Sequence, residues 1–244
     1  MASLSDRQAM ILKAIIEEFI SSAEPVGSEQ LERKYNMGVS PATIRNEMAV
    51  LTQQGFLKQP HTSAGRAPTA QALRLYISHM MQESQLSVAE EIAVRERLWE
   101  SRHDLYQLMQ TAVRTLSSRL HTVALVSLPP QLSYSAGYSN LLAMPEFYDI
   151  DVTRQVLDMA EQLPTWLVRL IQQNMSQAQV QIVFGEELNQ PFLEPVGMVF
   201  AHFHASNRMS GAIGVIGPAR MNFRQAIPWL KYYSHLFEDM LRDY

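Results

Sequence analysis

The apolar residues of this chain change their spacing near residue 121, which restricts it to folds in which a helical segment precedes a sheet. Before that point they recur at helical steps. Leu12, Ile15, Ile16, Phe19 and Ile20 form one stripe. Residues from about Ser87 to His121 read as one long helix, in which Leu98, Leu105, Met109, Ala112 and Leu116 recur in helical register. That seam fits packing on a twin helix and packing on the chain's own core equally well. Beyond it, Val123-Ala124-Leu125-Val126-Ser127-Leu128 reads as a strand ended by Pro129-Pro130, and Val180, Ile182 and Phe184 alternate in another. Val196 to Ala205 and Gly211 to Ile216 form a candidate hairpin, followed by a helix from about Arg224 to Tyr244. The expected class is α+β.

Composition narrows the function. With 47% hydrophobic and 18% charged residues, the chain has the make-up of a globular protein rather than a disordered one. It has no cysteine, which excludes disulfides, thiolate nucleophiles and Cys-based zinc sites. No run of about eighteen apolar residues suggests a membrane span, and Met1 to Asp6 shows no secretion signal, so a cytoplasmic protein without a membrane partner is expected. The net charge is −4 but unevenly spread. Residues 40–80 carry Arg45, Lys58, Arg66 and Arg74 against Glu47 alone, whereas residues 81–244 are acidic on balance. A basic segment on an acidic body fits a small DNA-contacting module joined to a regulatory part.

The N-terminal residues can be read individually. Ser5-Asp6-Arg7-Gln8 has the spacing of a capping box. Pro25-Val26-Gly27 breaks the first helix, and Ser28 is placed to cap a second that runs to about Tyr35. Ser40-Pro41 then supplies an N-cap and a proline at the first helical position, and Gly55 is placed to end this third helix near Gln54. Ile44, Met48 and Leu51 share its inner face. Ala42, Asn46, Ala49 and Gln53 fall opposite, flanked by Thr43, Arg45 and Val50. Three helices with such a small, polar outer face fit a helix-turn-helix whose last helix enters a major groove, and they fit a docking module as well. Phe56 to Gln59 reads as a strand, and Pro60 to Pro68 as a hairpin wing turning at Ala64-Gly65 with Arg66 at or beside its tip. Pro68-Thr69 starts a further helix from about Ala70 to Gln82.

The segment Glu24-Pro25-Val26-Gly27-Ser28, the run Gly38 to Met48, and Leu51, Gly55-Phe56-Leu57 and Gln59 to Thr69 together resemble the HrcA heat-inducible transcription repressors. Asn140-Leu141-Leu142, Pro145-Glu146-Phe147 and Gly214 to Met221 resemble that family's C-terminal GAF-like domain. The resemblance implies a winged-helix DNA-binding domain over 1–83, a linking helix over 84–121 and a GAF-like regulatory and dimerisation domain over 122–244. It also implies a homodimer on an inverted-repeat double-stranded DNA operator of the type called CIRCE, repression of chaperone genes, and a GroE chaperonin partner. This chain departs from the pattern by being shorter: Leu128 passes almost directly to Tyr138, where the family carries further sheet and an inserted dimerisation subdomain.

The expected DNA-contacting residues are Arg45 and Asn46 for base edges or phosphates, Ser40 and Thr43 for phosphates, His61, Thr62 and Ser63 on the wing, and Arg66 on the wing for the backbone or minor groove. No catalytic set, cofactor or metal is expected. Gly211, Gly214 and Gly217 sit in strands, where close packing explains them. His202 and His204 share a strand face but lack a third ligand. The alternative function is a ligand-sensing or protein-interaction module acting through the GAF-like half.

Overall fold

The structure, a computed structural model, describes residues 4–128, 132–162, 179–206 and 209–242. It has two compact units, Met1–Gln82 and Glu83–Tyr244. Among the described residues no helix is long and apolar enough to cross a membrane.

The first unit begins with α1 (Asp6–Ser22), α2 (Ser28–Tyr35) and α3 (Pro41–Gln53). Each helix starts where its local chemistry dictates. Ser5 Oγ accepts from the Gln8 amide while Gln8 Oε1 accepts from the Ser5 amide, closing the capping box. Before α2 the N-cap is Gly27, and Ser28, expected to cap the helix, is its first residue. Ser40 Oγ caps α3 by accepting from Thr43 N at 3.2 Å, with Pro41 at the first position. Gly55, at φ 80°, takes the left-handed turn after α3, and Phe56 N returns to Leu51 O at 2.9 Å. Two short antiparallel strands follow, β1 (Leu57–Lys58) and β2 (Ala67–Pro68). Thr69 then caps α4 (Ala70–Leu75), which runs on as a wide turn over Tyr76–Met80. Ile11, Leu12, Ile15, Ile16, Leu31, Ile44 and Leu51 are fully buried and hold the three helices together. Each such side chain contributes on the order of 2 kcal/mol.

The second unit corrects the expectation of one long helix over 87–121. The chain makes two helices, α5 (Val88–Glu100) and α6 (Leu105–Leu120), parted by a turn over 101–104. Asp104 starts the second by accepting from the amides of Tyr106 and Gln107. Leu98, Met109, Ala112 and Leu116 are fully buried in this chain's own core, so the expected seam is not free for a twin helix. The outer face of α5 instead exposes Val88, Ile92 and Trp99.

A five-stranded antiparallel sheet follows in the order β4-β3-β7-β6-β5. Its strands are β3 (Val123–Leu128), β4 (Leu132–Ala136), β5 (Val180–Phe184), β6 (Val196–Ser206) and β7 (Met209–Pro218). Strand β4, not expected from the sequence, forms a hairpin with β3 that pairs Ala124 with Ala136 and Leu128 with Leu132. The prolines at 129 and 130, expected to end β3, lie outside the described residues. The expected β6–β7 hairpin is present, pairing Val196 with Pro218 and Phe203 with Gly211. The short helix α7 (Tyr138–Leu141) and α8 (Ile150–Glu161) complete one side of the unit.

One face of the sheet packs on α8 through Leu125, Val152, Val156, Met198, Phe200 and Ile216. The other receives α9 (Phe223–Met240), where Phe203 and Phe237 stack with ring centroids 4.9 Å apart. Helix α9 stops at Met240, short of the expected Tyr244, which lies outside the described residues. It contains Pro228, which lacks the N–H that would bond the carbonyl of Arg224. That carbonyl instead accepts from Ser84 N at 2.9 Å.

Candidate nucleic-acid interface

Helix α3 presents a well-defined outer surface. Ile44, Met48 and Leu51 are turned inward, while Ala42, Arg45, Asn46, Ala49, Val50 and Gln53 are exposed. The side chains of Arg45 and Asn46 have no hydrogen-bond partner among the described residues, so their donors are available to an external acceptor. The acid that follows them in sequence is occupied. Glu47 accepts from Arg7 Nε at 2.8 Å and from Gln8 Nε2 at 3.0 Å, which neutralises it at the flank of α1. The outer face of α3 is therefore cationic and carries no unpaired acid. Ser40 and Thr43 sit at its N-terminal end with their hydroxyls 3.0 Å apart. Ser40 Oγ is engaged in the cap, and both hydroxyls remain near the helix N-terminus, where an anion is favoured.

The loop between β1 and β2 differs from the expected one in a specific way. The turn is closed by Ala64 N donating to His61 O at 2.9 Å, so Thr62 and Ser63 occupy its centre rather than Ala64 and Gly65. His61, Thr62 and Ser63 are exposed there. The Gln59 side chain holds the loop, its amide donating to Thr62 O at 2.9 Å and to Ala64 O at 3.0 Å.

Arg66 is at the base of the loop, not at its tip. Its backbone exchanges two hydrogen bonds with Val26, at 2.8 and 2.9 Å. The residue is half-buried, and its Nε donates to Thr52 Oγ1 at 3.1 Å on the last turn of α3. Gly65 allows this approach: a Cβ there would lie 2.4 Å from the carbonyl atoms of Val26. Sequence reasoning missed Gln59 and Thr52. Thr52 acts on a partner placed by the docking of Val26 against Arg66, and Gln59 acts on carbonyls three and five residues on in its own loop; no periodicity encodes either.

Behind this surface a buried acid ties α1 to α2. Glu18 accepts from Lys34 Nζ at 2.5 Å, Gln30 Nε2 at 2.9 Å and Tyr35 OH at 3.3 Å. The Lys34 ammonium and its hydrogen bond hold the Glu18 carboxyl below its ordinary value, against the opposing effect of burial. Burial first, and then the Glu18 charge, push the Tyr35 phenol up to about 12.

The notable polar residues of the second unit face inward. Asn140 Nδ2 donates to Ser117 Oγ at 3.0 Å and to Thr122 O at 3.1 Å. Arg220 clasps Glu146 with Nε–Oε1 at 2.5 Å and Nη2–Oε2 at 3.2 Å, both side chains largely buried. A Cβ on Gly211 would meet Ser127 O at 2.3 Å, and one on Gly214 would meet the Phe200 ring at 2.2 Å, so close packing accounts for both glycines. His202 is half-buried, and burial lowers its pKa; His204 is exposed. Among the described residues no group of three His, Cys, Asp or Glu is placed to hold a metal.

The heat-inducible transcription repressor HrcA of Symbiobacterium thermophilum is 28% identical over 336 residues, covering 96% of this chain and 98% of its own. That alignment is longer than the 244 residues of this chain, so the relative carries a long segment that the present chain lacks. The HrcA repressor of Desulforamulus reducens is 43% identical over 126 residues, covering 52% of this chain and 36% of its own. A crystal structure described only as that of a hypothetical protein shares the fold, with a TM-score of 0.76 at 17% identity over 99% of both chains. A family model described as the HrcA protein C terminal domain matches residues 48–227. With most of its length inside that match, the chain belongs to the HrcA family.

Proposed function

We propose that this chain is a heat-inducible transcription repressor, as its relatives are named, and that it reads double-stranded DNA through its first unit. In this reading α1, α2 and α3 with the β1–β2 hairpin form a winged helix-turn-helix. Helix α3 lies in the major groove, with Arg45 and Asn46 at base edges and Ser40 and Thr43 at phosphates. His61, Thr62, Ser63 and Arg66 follow the backbone beside it. The observation that carries the reading is the outer face of α3. It is exposed and cationic, its Arg45 and Asn46 have no partner among the described residues, and the helix's one acid is neutralised by Arg7.

The second unit, residues 84–121 included, serves in this reading as a GAF-like regulatory and dimerisation part. A homodimer in the cytoplasm matches an inverted-repeat operator of the CIRCE type by shared two-fold symmetry, and occupancy blocks polymerase at a chaperone promoter. A GroE chaperonin that supports the active fold completes the heat response. The relatives are named as repressors, and no enzyme reading is supported.

Fluorescence anisotropy on a CIRCE-type duplex and a scrambled duplex tests the reading. Selective binding that is lost in Arg45→Ala is expected. Equal, weak binding to both duplexes favours the interaction-module reading, in which the second unit binds a small molecule or a partner protein.

A further inference from the structure

We propose that Thr52 is a positioning residue that aims the Arg66 guanidinium at a single DNA phosphate at the junction of α3 and the β1–β2 loop. This rests on the DNA-binding reading above and assigns Arg66 to the backbone rather than to a groove.

Three independent restraints fix Arg66. Its amide and carbonyl are both bonded to Val26, at 2.9 and 2.8 Å, so the backbone cannot turn with the loop. Gly65 brings the two segments to backbone contact and leaves no room for a side chain between them. The Thr52 hydroxyl accepts from Nε at 3.1 Å, which sets the plane of the guanidinium. Thr52 itself is steadied because its hydroxyl donates to Met48 O at 2.8 Å.

A bond at Nε uses one of five donors. The N–H groups on Nη1 and Nη2 have no acceptor among the described residues, although the side chain is half-buried. An arginine held by its inner nitrogen presents its outer pair as a preformed fork, and a phosphate is the acceptor that fork fits. A base edge fits less well. Arg66 sits at the root of the loop, whereas the exposed residues His61 to Ser63 occupy its far end. Thr52 also stands one helical turn beyond Met48 at the C-terminal end of α3, away from the Ser40 end that the reading places at other phosphates. One phosphate at each end of the helix would fix its angle in the groove.

The test is anisotropy binding of the full chain across a salt series, on the inverted-repeat and scrambled duplexes. The proteins are wild type, Arg66→Ala, Thr52→Val, Thr52→Ser and the Thr52→Val/Arg66→Ala double variant. Arg66→Ala is expected to weaken binding to both duplexes roughly tenfold and to flatten the log–log salt slope by about 0.9. Thr52→Val should move affinity and slope in the same direction, and Thr52→Ser, which keeps the hydroxyl, should restore both. In the double variant Thr52→Val should add nothing to the Arg66→Ala loss. Thermal unfolding of Thr52→Val separates an aiming defect from a folding one.

An unchanged slope in Arg66→Ala, or a loss confined to the inverted repeat, overturns the phosphate assignment while leaving DNA binding intact. Equal losses in Thr52→Val and Thr52→Ser, or a further loss in the double variant, overturn the positioning role. Failure of the wild type to bind either duplex sinks both the DNA reading and this inference.

Discussion

The two units use their polar residues in opposite ways. In the first, Arg45 and Asn46 stand on an exposed helix face without partners among the described residues. In the second, Asn140, Glu146 and Arg220 belong to equally recognisable motifs, yet all are taken up by internal bonds. Motif residues therefore divide by what their donors and acceptors meet. Those satisfied inside the chain hold the fold, and those exposed at the surface keep their donors available to an external acceptor.

Substitutions can break or sharpen this contrast. The largest effect is expected where the scaffold under the interface is tightest. Gly65→Ala forces a methyl into the Val26 backbone and should cost the first unit about 3 kcal/mol in denaturant unfolding. Near-wild-type stability would show that the 24–27 segment yields easily. Arg220→Ala leaves the Glu146 carboxylate largely buried without its cation. After allowance for partial exposure, a loss of about 2 kcal/mol is expected, measured on the unfolding of the second unit. Arg45→Ala should do the reverse. It should remove about 1–2 kcal/mol of operator binding yet leave the melting curve within about 0.5 kcal/mol of wild type. A large stability loss there would erase the distinction between the units.

The smallest effect concerns pH. The Glu18 carboxyl is held below its ordinary value of 4.5 in the folded state, chiefly by Lys34. Its stabilisation is therefore complete above that value and lost as pH falls through the depressed one. Glu18→Gln should destabilise the first unit at neutral pH and reduce its further loss on acidification below about 4.5. Unfolding curves at several pH values check this, and an unaltered acid limb would assign the acid sensitivity to other carboxylates.

Much of the first unit was legible because its signals are local. The capping box at Ser5 and Gln8, Pro41 at a first helical position and Gly55 in a left-handed turn each depend on a few neighbouring residues. The inward stripe of α3 follows from period alone. The failures were tertiary or ambiguous. Leu98 and Leu105 are seven apart, a step that continues a helix as readily as it spans a break, so the cap at Asp104 went unread. Strand β4 lies in Leu-Ser-Tyr-Ser-Ala, which alternates but over only five residues, and its hairpin geometry depends on β3. The place of Arg66 at the root of its loop comes from Val26, forty residues earlier in the chain, which pattern reading cannot supply.

Pro228 shows how an imperfection in one element can serve another. A proline inside a helix is usually counted as a lost bond, and α9 has indeed given up one. The carbonyl whose Pro228 partner is missing is the one that receives the Ser84 amide, so the first residues of the second unit are moored to its last helix. The two ends of the unit's sequence are thereby clamped together, and fraying of α9 near Arg224 should loosen the 84 segment in the same event. Hydrogen exchange should then show the Ser84 amide opening together with the first turns of α9, as one cooperative element rather than two.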